Sequence, residues 1–386
     1  MIYLDYNATT PLCELAHAAM QPYLREHFGN PSSIHAAGRE ARAAIDDARD
    51  LLADLLGAKP HELIFTAGGT EANNLAILGL ARSRHEHGRH LICGSTEHHA
   101  VLNTFEHLQA CEGFDVTFLR VDSLGRIEPT ELAGEIRAET TLVSIMSANN
   151  ETGVTQPMAA IAEVCRARGV LLHSDMVQSF GKEPTDLALV DAASFAAHKF
   201  YGPKGAGLLY LRAGLPLEPI QFGGAHENQR RPGTENVAAI AGMAAAAEFA
   251  LDDFLAEQKR EAGLRDQLLE KIGAAFPEAK ENGDPAYRLG NTLNVSFPGV
   301  SSETLLIALD LEGVCASSGS ACMVGSVVAS HVLRAMGAEA ASATSAIRFS
   351  LGKETSAAEI AETGAIIARV LSRLTSANSA KAYALA

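Results

Sequence analysis

The chain has 386 residues, enough for two domains, and its 47% hydrophobic and 20% charged content allows a large core and argues against disorder. A formal net charge of −15 argues against nonspecific binding to nucleic acid or to anionic membrane surfaces. No run approaches the roughly 18 uninterrupted apolar residues of a membrane span. The opening Met1-Ile-Tyr-Leu-Asp-Tyr-Asn7 has neither the basic start nor the apolar stretch of a secretion signal, so a cytoplasmic location is expected.

In chain order, Ala36 to Gly57 reads as an amphipathic helix, with Ala41, Ala44, Ile45, Ala48, Leu51, Leu52, Leu55 and Leu56 at helical spacing and Gly57 as the stop. Seven short apolar runs follow as candidate strands: 62–66, 90–94, 116–120, 142–146, 170–173, 193–196 and 207–211. Helical patterns at 70–81, 129–138 and 157–168 lie between several of them. Such alternation predicts an α/β fold with a mostly parallel sheet covered on both faces. A long Ala-rich helical connector is expected from Glu235 to about Ala275, and Thr292–Phe297 then opens a smaller α+β region. The last residues, from Ser376, are small and unpatterned and read as a frayed tail.

Four polar clusters follow strands of this pattern: Gly68-Gly-Thr-Glu-Ala-Asn-Asn74, Thr96-Glu-His-His-Ala100, Asn149-Asn-Glu-Thr-Gly153 and Asp175 with Gln178. Each alone could be ordinary capping or a turn. Together they fall at the carboxyl edge of the strands, where open α/β sheets bind ligands. Glycines at a strand-to-helix turn let backbone N–H groups approach a phosphate. The cluster at 68–74 is neither GxGxxG nor a Walker sequence, so dinucleotide or ATP binding is not supported.

Lys199 follows the next candidate strand, in Ser194-Phe-Ala-Ala-His-Lys-Phe-Tyr-Gly-Pro-Lys-Gly205. An acid ending one strand and a lysine after the next is the layout of a pyridoxal-phosphate (PLP) site. There the lysine forms a Schiff base with the cofactor, and the carboxylate keeps the pyridine nitrogen protonated. His98 could stack on the ring and shuttle protons, whereas His85, His87 and His90 read as a surface tract. Arg348, in the strand-like run Ile347–Gly352, has the planar fork that suits a substrate carboxylate, with a structural ion pair as the alternative.

None of the six cysteines forms a CxxC pair, so no zinc site or redox pair is indicated. Cys93 and Cys165 lie in apolar runs and read as core residues. Cys322 lies in Ser317-Ser-Gly-Ser-Ala-Cys322, a segment of small residues suited to a thiol that reaches a cofactor and then a partner.

With these residues assembled, the chain resembles the NifS/IscS-type cysteine desulfurases, fold-type I PLP enzymes of the class-V aminotransferase group. The resemblance covers nearly the whole chain, from Leu4-Asp-Tyr-Asn-Ala-Thr-Thr10 and Gly29-Asn-Pro-Ser-Ser33 to Ser317–Cys322 and Ile347–Gly352. It implies a large PLP-binding domain over residues 15–257 with a seven-stranded sheet. Residues 1–14 with 258–386 would form a small α+β domain carrying the cysteine loop. It further implies that Lys199 carries PLP and moves protons, Asp175 pairs with the pyridine nitrogen, Gln178 contacts the phenolic oxygen, and His98 stacks on the ring. Gly69, Thr70 and His198 would bind the phosphate, and Thr234 would reach the phosphate of the other subunit of a homodimer. Asn150 and Arg348 would hold the substrate carboxylate. Cys322 would take sulfur from L-cysteine as a persulfide, leaving L-alanine, and pass it to an iron–sulfur scaffold or another acceptor protein. Nitrogenase-related assembly is one setting for this. No metal is expected in the resting enzyme, with Cys322 a transient iron–sulfur ligand at most. The long-loop NifS/IscS branch is the nearer one.

Several positions depart from the family pattern: Ala196 where a phosphate-binding Ser is common, Met176, Ala225, Pro232 and Tyr6. Two rival readings differ in chemistry. Another PLP lyase or aminotransferase, such as a selenocysteine lyase, is one; transamination would not need Cys322. The other is a sulfur carrier or interaction protein that kept the fold and lost turnover. The presence of Lys199, Asp175, His98, Cys322 and Arg348 argues against it.

Overall fold

A computed structural model describes residues 1–318 and 329–384, with side chains described as far as Ser376. Its largest sheet has seven strands in the spatial order Leu63–Thr66, Gly207–Leu211, Ala192–Ala196, Leu171–Asp175, Thr140–Ser144, His90–Gly94 and Asp115–Leu119. These coincide with the seven apolar runs to within a residue or two. Gly207–Leu211 runs antiparallel to both of its neighbours, and every other pairing is parallel. The sheet is therefore mostly parallel, and the carboxyl ends of six strands share one edge.

Strand residues alternate between two apolar layers, which is why the runs read as continuously hydrophobic. Leu63, Phe65, Ile92, Val143, Leu172 and Phe195 join one layer. Ile64, Leu91, Cys93, Leu142, Leu171 and Leu209 join the other. Ala36–Leu56 is one helix, closed by Gly57 in the left-handed conformation (φ 65°), whose N–H bonds the carbonyls of Ala53 and Asp54. Its buried alanines and leucines pack on the helix Val237–Leu251.

The expected connector is two helices, Val237–Leu251 and Phe254–Ala275, broken where Asp253 takes φ 48°. The second helix packs on Ala357–Ala384 beside a three-stranded antiparallel sheet of Ala346–Ser350, Thr292–Ser296 and Lys280–Glu281. Leu4, Leu268, Ile272, Val295, Ile347 and Ile367 form the apolar cluster there. The expected frayed tail is corrected: the last helix continues to Ala384. Small residues hid it, yet Ala has the highest helix propensity and the segment lacks Gly and Pro. His90 is also corrected. It is fully buried on its strand, with its ring between Thr140 Oγ1 (2.7 Å) and Thr117 Oγ1 (2.9 Å), while His85 and His87 are exposed.

The N-terminal segment joins the two sheets. Ile2–Tyr3 pairs with Val314–Cys315, Asn7 N–H donates to Ser350 Oγ (2.9 Å), and Thr10 N–H donates to the carbonyl of His198 (2.9 Å). Among the described residues, no helix is long and apolar enough to cross a membrane.

Candidate active site

At the shared strand edge lies a cavity of about 430 Å³, within the range of small-molecule sites. Gly69, Thr70, His98, Asn150, Asp175, Gln178, His198, Lys199 and Arg348 all line it. Of the expected site residues, Thr234 is exposed and does not line this cavity, and Cys322 lies outside the described residues.

Each side chain is placed by a short structural device. Lys199 ends a single 3₁₀ turn after the strand Ala192–Ala196. Its Nζ donates to the carbonyls of Asn7 (2.6 Å) and Ala8 (2.8 Å). Burial, then the positive charges of Arg348 and Lys182, bring its amine down to about 7, against the opposing pull of Asp5 and Asp175. A lysine amine brought down this far can act as a nucleophile or base.

Asp175 ends its strand, buried, with Oδ2 accepting from Asn73 Nδ2 (2.7 Å) and Oδ1 from Val177 N–H (2.9 Å). His98 caps the helix His99–Glu112: its Nδ1 accepts from Ala100 N–H (3.1 Å), which puts the proton of the neutral ring on Nε2. Burial lowers its pKa, helped by Lys199, His99 and His331 and opposed by Asp175. Burial, with Lys199 and Lys204, brings His198 to about 4, so it is neutral at pH 7. Gln178 Nε2 donates to the carbonyl of Asn7 (2.9 Å).

Arg348 is not free. Its Nη2 meets Asp5 Oδ1 at 2.7 Å and its Nη1 meets the carbonyl of Asn150 at 2.9 Å, while its buried Nε has no partner. Both flanks of the segment that carries Cys322 are tied to this wall. Ser317 exchanges backbone bonds with Arg348 (2.6 and 3.1 Å). Ser330 Oγ donates to Glu151 Oε2 (2.5 Å), and His331 lines the cavity with its Nε2 bonded to the carbonyl of Glu97 (2.9 Å).

The residues present fit PLP. Lysine, buried acid and the start of the helix Gly69–Ser83 face one cavity of suitable size. Position 69 admits only glycine without adjustment, because a Cβ there would stand 2.8 Å from Val177 Cγ2 and 3.3 Å from Ala196 Cβ. Lys199 would hold the aldehyde, Asp175 the ring nitrogen, and Thr70 with the helix N–H groups and His198 the phosphate. Ala196 offers no hydroxyl.

Sequence reasoning missed Asp5, Asn7, Asn73 and His331. Asn73 had a local signal: it lies three residues after Thr70, on the same helix face. The roles of Asp5 and Asn7 come from contacts with residues far along the chain, which no local pattern reveals.

The fold and the site define a PLP-dependent enzyme of fold type I. The Aminotransferase class-V family model matches residues 2–362, and the chain belongs to that family. It is 44% identical over 375 residues to "Cysteine desulfurase IscS" of Dictyoglomus turgidum, covering 97% of this chain and 95% of that relative. Among solved structures, a NifS-like protein superposes with a TM-score of 0.91 at 37% identity, covering 96% of this chain and 99% of the other. The structure described as SspA in complex with cysteine gives a TM-score of 0.81 at 37% identity, covering 91% and 99%.

Proposed function

We propose that this chain is a cysteine desulfurase that converts L-cysteine to L-alanine and holds the sulfur as a persulfide on Cys322. The observation that carries the reading is Lys199 lining one cavity with a buried aspartate and a glycine-opened helix start. Cysteine desulfurase relatives of near full length support the choice of substrate.

Bound at this site, PLP supplies an electron sink that stabilises negative charge at the substrate's Cα. Lys199 would hold the cofactor and take and return a proton at carbon. Asp175, braced by Asn73 and Val177 N–H, would hold the ring nitrogen. His98, neutral, offers an Nε2 proton. Arg348, through its unpartnered Nε, and Asn150 hold the substrate carboxylate. The Cys322 thiolate attacks the substrate sulfur. As the S–S bond forms, the Cβ–S bond breaks, its electron pair stays with carbon, and a proton is taken up there. The products are L-alanine and a Cys322 persulfide, and no external oxidant is needed. The flanking residues Ser317 and Ser330 are both anchored at the cavity wall.

The same reading takes residues 15–257 as a PLP-binding domain and 1–14 with 258–386 as a second domain. It makes the protein a cytoplasmic homodimer, with Thr234 reaching the other subunit's phosphate. Exposed Phe28, Ile34 and Phe222 (79%, 91% and 89%) are apolar surface that a second copy would cover. The persulfide passes to an iron–sulfur scaffold or another acceptor protein, with Cys322 at most a transient iron–sulfur ligand.

The test incubates purified protein with L-cysteine and a thiol reductant and measures alanine and sulfide together. Equal amounts, abolished by Cys322→Ala with the cofactor's absorbance retained, are expected. Full alanine formation by that variant removes the role of Cys322. A yellow protein that makes no alanine from cysteine points to a different PLP reaction.

A further inference from the structure

A second, much smaller cavity of about 20 Å³ touches Lys199 from the side of Lys182. The Lys182 ammonium donates to the backbone carbonyl of Gln178 (3.1 Å) and to its side-chain Oε1 (3.4 Å). The other end of that amide, Nε2, donates to the carbonyl of Asn7, which also accepts from Lys199 Nζ. A cation on the acceptor end and a carbonyl at the donor end leave the amide one orientation. Glu261, buried on the helix Phe254–Ala275, lines the same small cavity. Burial pushes Lys182 down while Glu261 opposes the fall, and burial and Glu257 push Glu261 up while Lys182 opposes the rise. Tyr201, Glu257 and Lys353 are the other titratable groups lining it, and Arg348, Asp5 and Asp175 act on Lys199 from elsewhere around the site. The chemistry above uses neither Lys182 nor Glu261.

We propose that Lys182 is a positioning residue. It locks the Gln178 amide with its donor end toward Asn7 and the active-site cavity, and it sets the protonation of the nitrogen at Lys199. The proposal rests on reading Lys199 as the cofactor lysine.

The test follows the visible cofactor band of the PLP-loaded enzyme with pH in wild type, Lys182→Met and Lys182→Arg. Removing a neighbouring cation favours the protonated nitrogen, so the band's pH midpoint should rise by about one unit in Lys182→Met. Lys182→Arg keeps the charge and should stay within a few tenths of wild type. An unshifted midpoint in a Lys182→Met protein that still binds PLP overturns the proposal. An Arg variant that shifts as far as the Met variant overturns it too. Should Lys182→Met not fold, Lys182→Gln carries the same expectation and the same refutation. A wild-type band that survives Lys199→Ala overturns the cofactor reading instead, and the proposal with it.

Discussion

Gly69→Ala sets two opposed effects against each other at the opening of the helix Gly69–Ser83. Ala in place of Gly stabilises a helix by roughly 0.5–1 kcal/mol. Here the new methyl would stand 2.8 Å from Val177 Cγ2, closer than side chains approach, and 3.3 Å from Ala196 Cβ. Val is stiff at χ1, so the strain passes into the backbone, and overpacking of this kind costs about 1–3 kcal/mol. Val177 N–H holds Asp175 Oδ1 at 2.9 Å, so moving Val177 moves the acid that lines the cavity. The steric cost wins, with a net loss of about 1–2 kcal/mol expressed in cofactor binding, or roughly 5- to 30-fold. Titrating apoprotein with PLP and following the visible band measures it, and a thermal melt of the apoprotein reports the fold separately. Wild-type PLP affinity together with a raised Tm would mean that helix propensity decides the position. The close approach at Gly69 would then be no constraint.

Two further outcomes follow from buried hydrogen bonds. Asn73→Ala removes the 2.7 Å donor to Asp175 Oδ2. A bond to a charged group contributes about 1.5–3 kcal/mol, so PLP affinity should fall at least tenfold, and an unchanged affinity in the same titration counts against Asn73 as the brace of Asp175. His173, wholly buried between Ser144 Oγ (2.8 Å) and Ser194 Oγ (3.0 Å), is held down to about 3 by burial. The unfolded chain binds a proton at this residue below about 6.5 and the folded chain does not, so stability falls as pH drops from 6.5 toward 3. His173→Gln should flatten that fall in urea midpoints measured between pH 7 and 5, and an equally steep loss in the variant would place the proton elsewhere.

The sheet was legible because its signals are local. Each strand is a short apolar run, and the turns after them carry the polar residues that meet at one edge. Lys199, Asp175, His98, Thr70 and Gln178 were found that way, and they do line one cavity. His90 was misread because its neighbours His85 and His87 are exposed, while its own partners, Thr117 and Thr140, lie on adjacent strands. The break at Asp253 leaves an Ala-rich helical pattern intact on both sides, so a single connector was the natural expectation.

What the sequence hides most fully is the part played by the N-terminal segment. One carbonyl, that of Asn7, accepts from both Lys199 and Gln178, while the Asn7 side chain donates to Thr292 Oγ1 (2.9 Å) in the three-stranded sheet. Two residues earlier, Asp5 neutralises Arg348, the largest charge that depresses Lys199. If a substrate carboxylate binds Arg348 as proposed, it shares that guanidinium with Asp5 or displaces it. If it displaces Asp5, the freed carboxylate remains near Lys199 as an uncompensated negative charge, and it favours the protonated amine. In this geometry, substrate binding at one wall of the cavity would adjust the proton affinity of the group that works at the other.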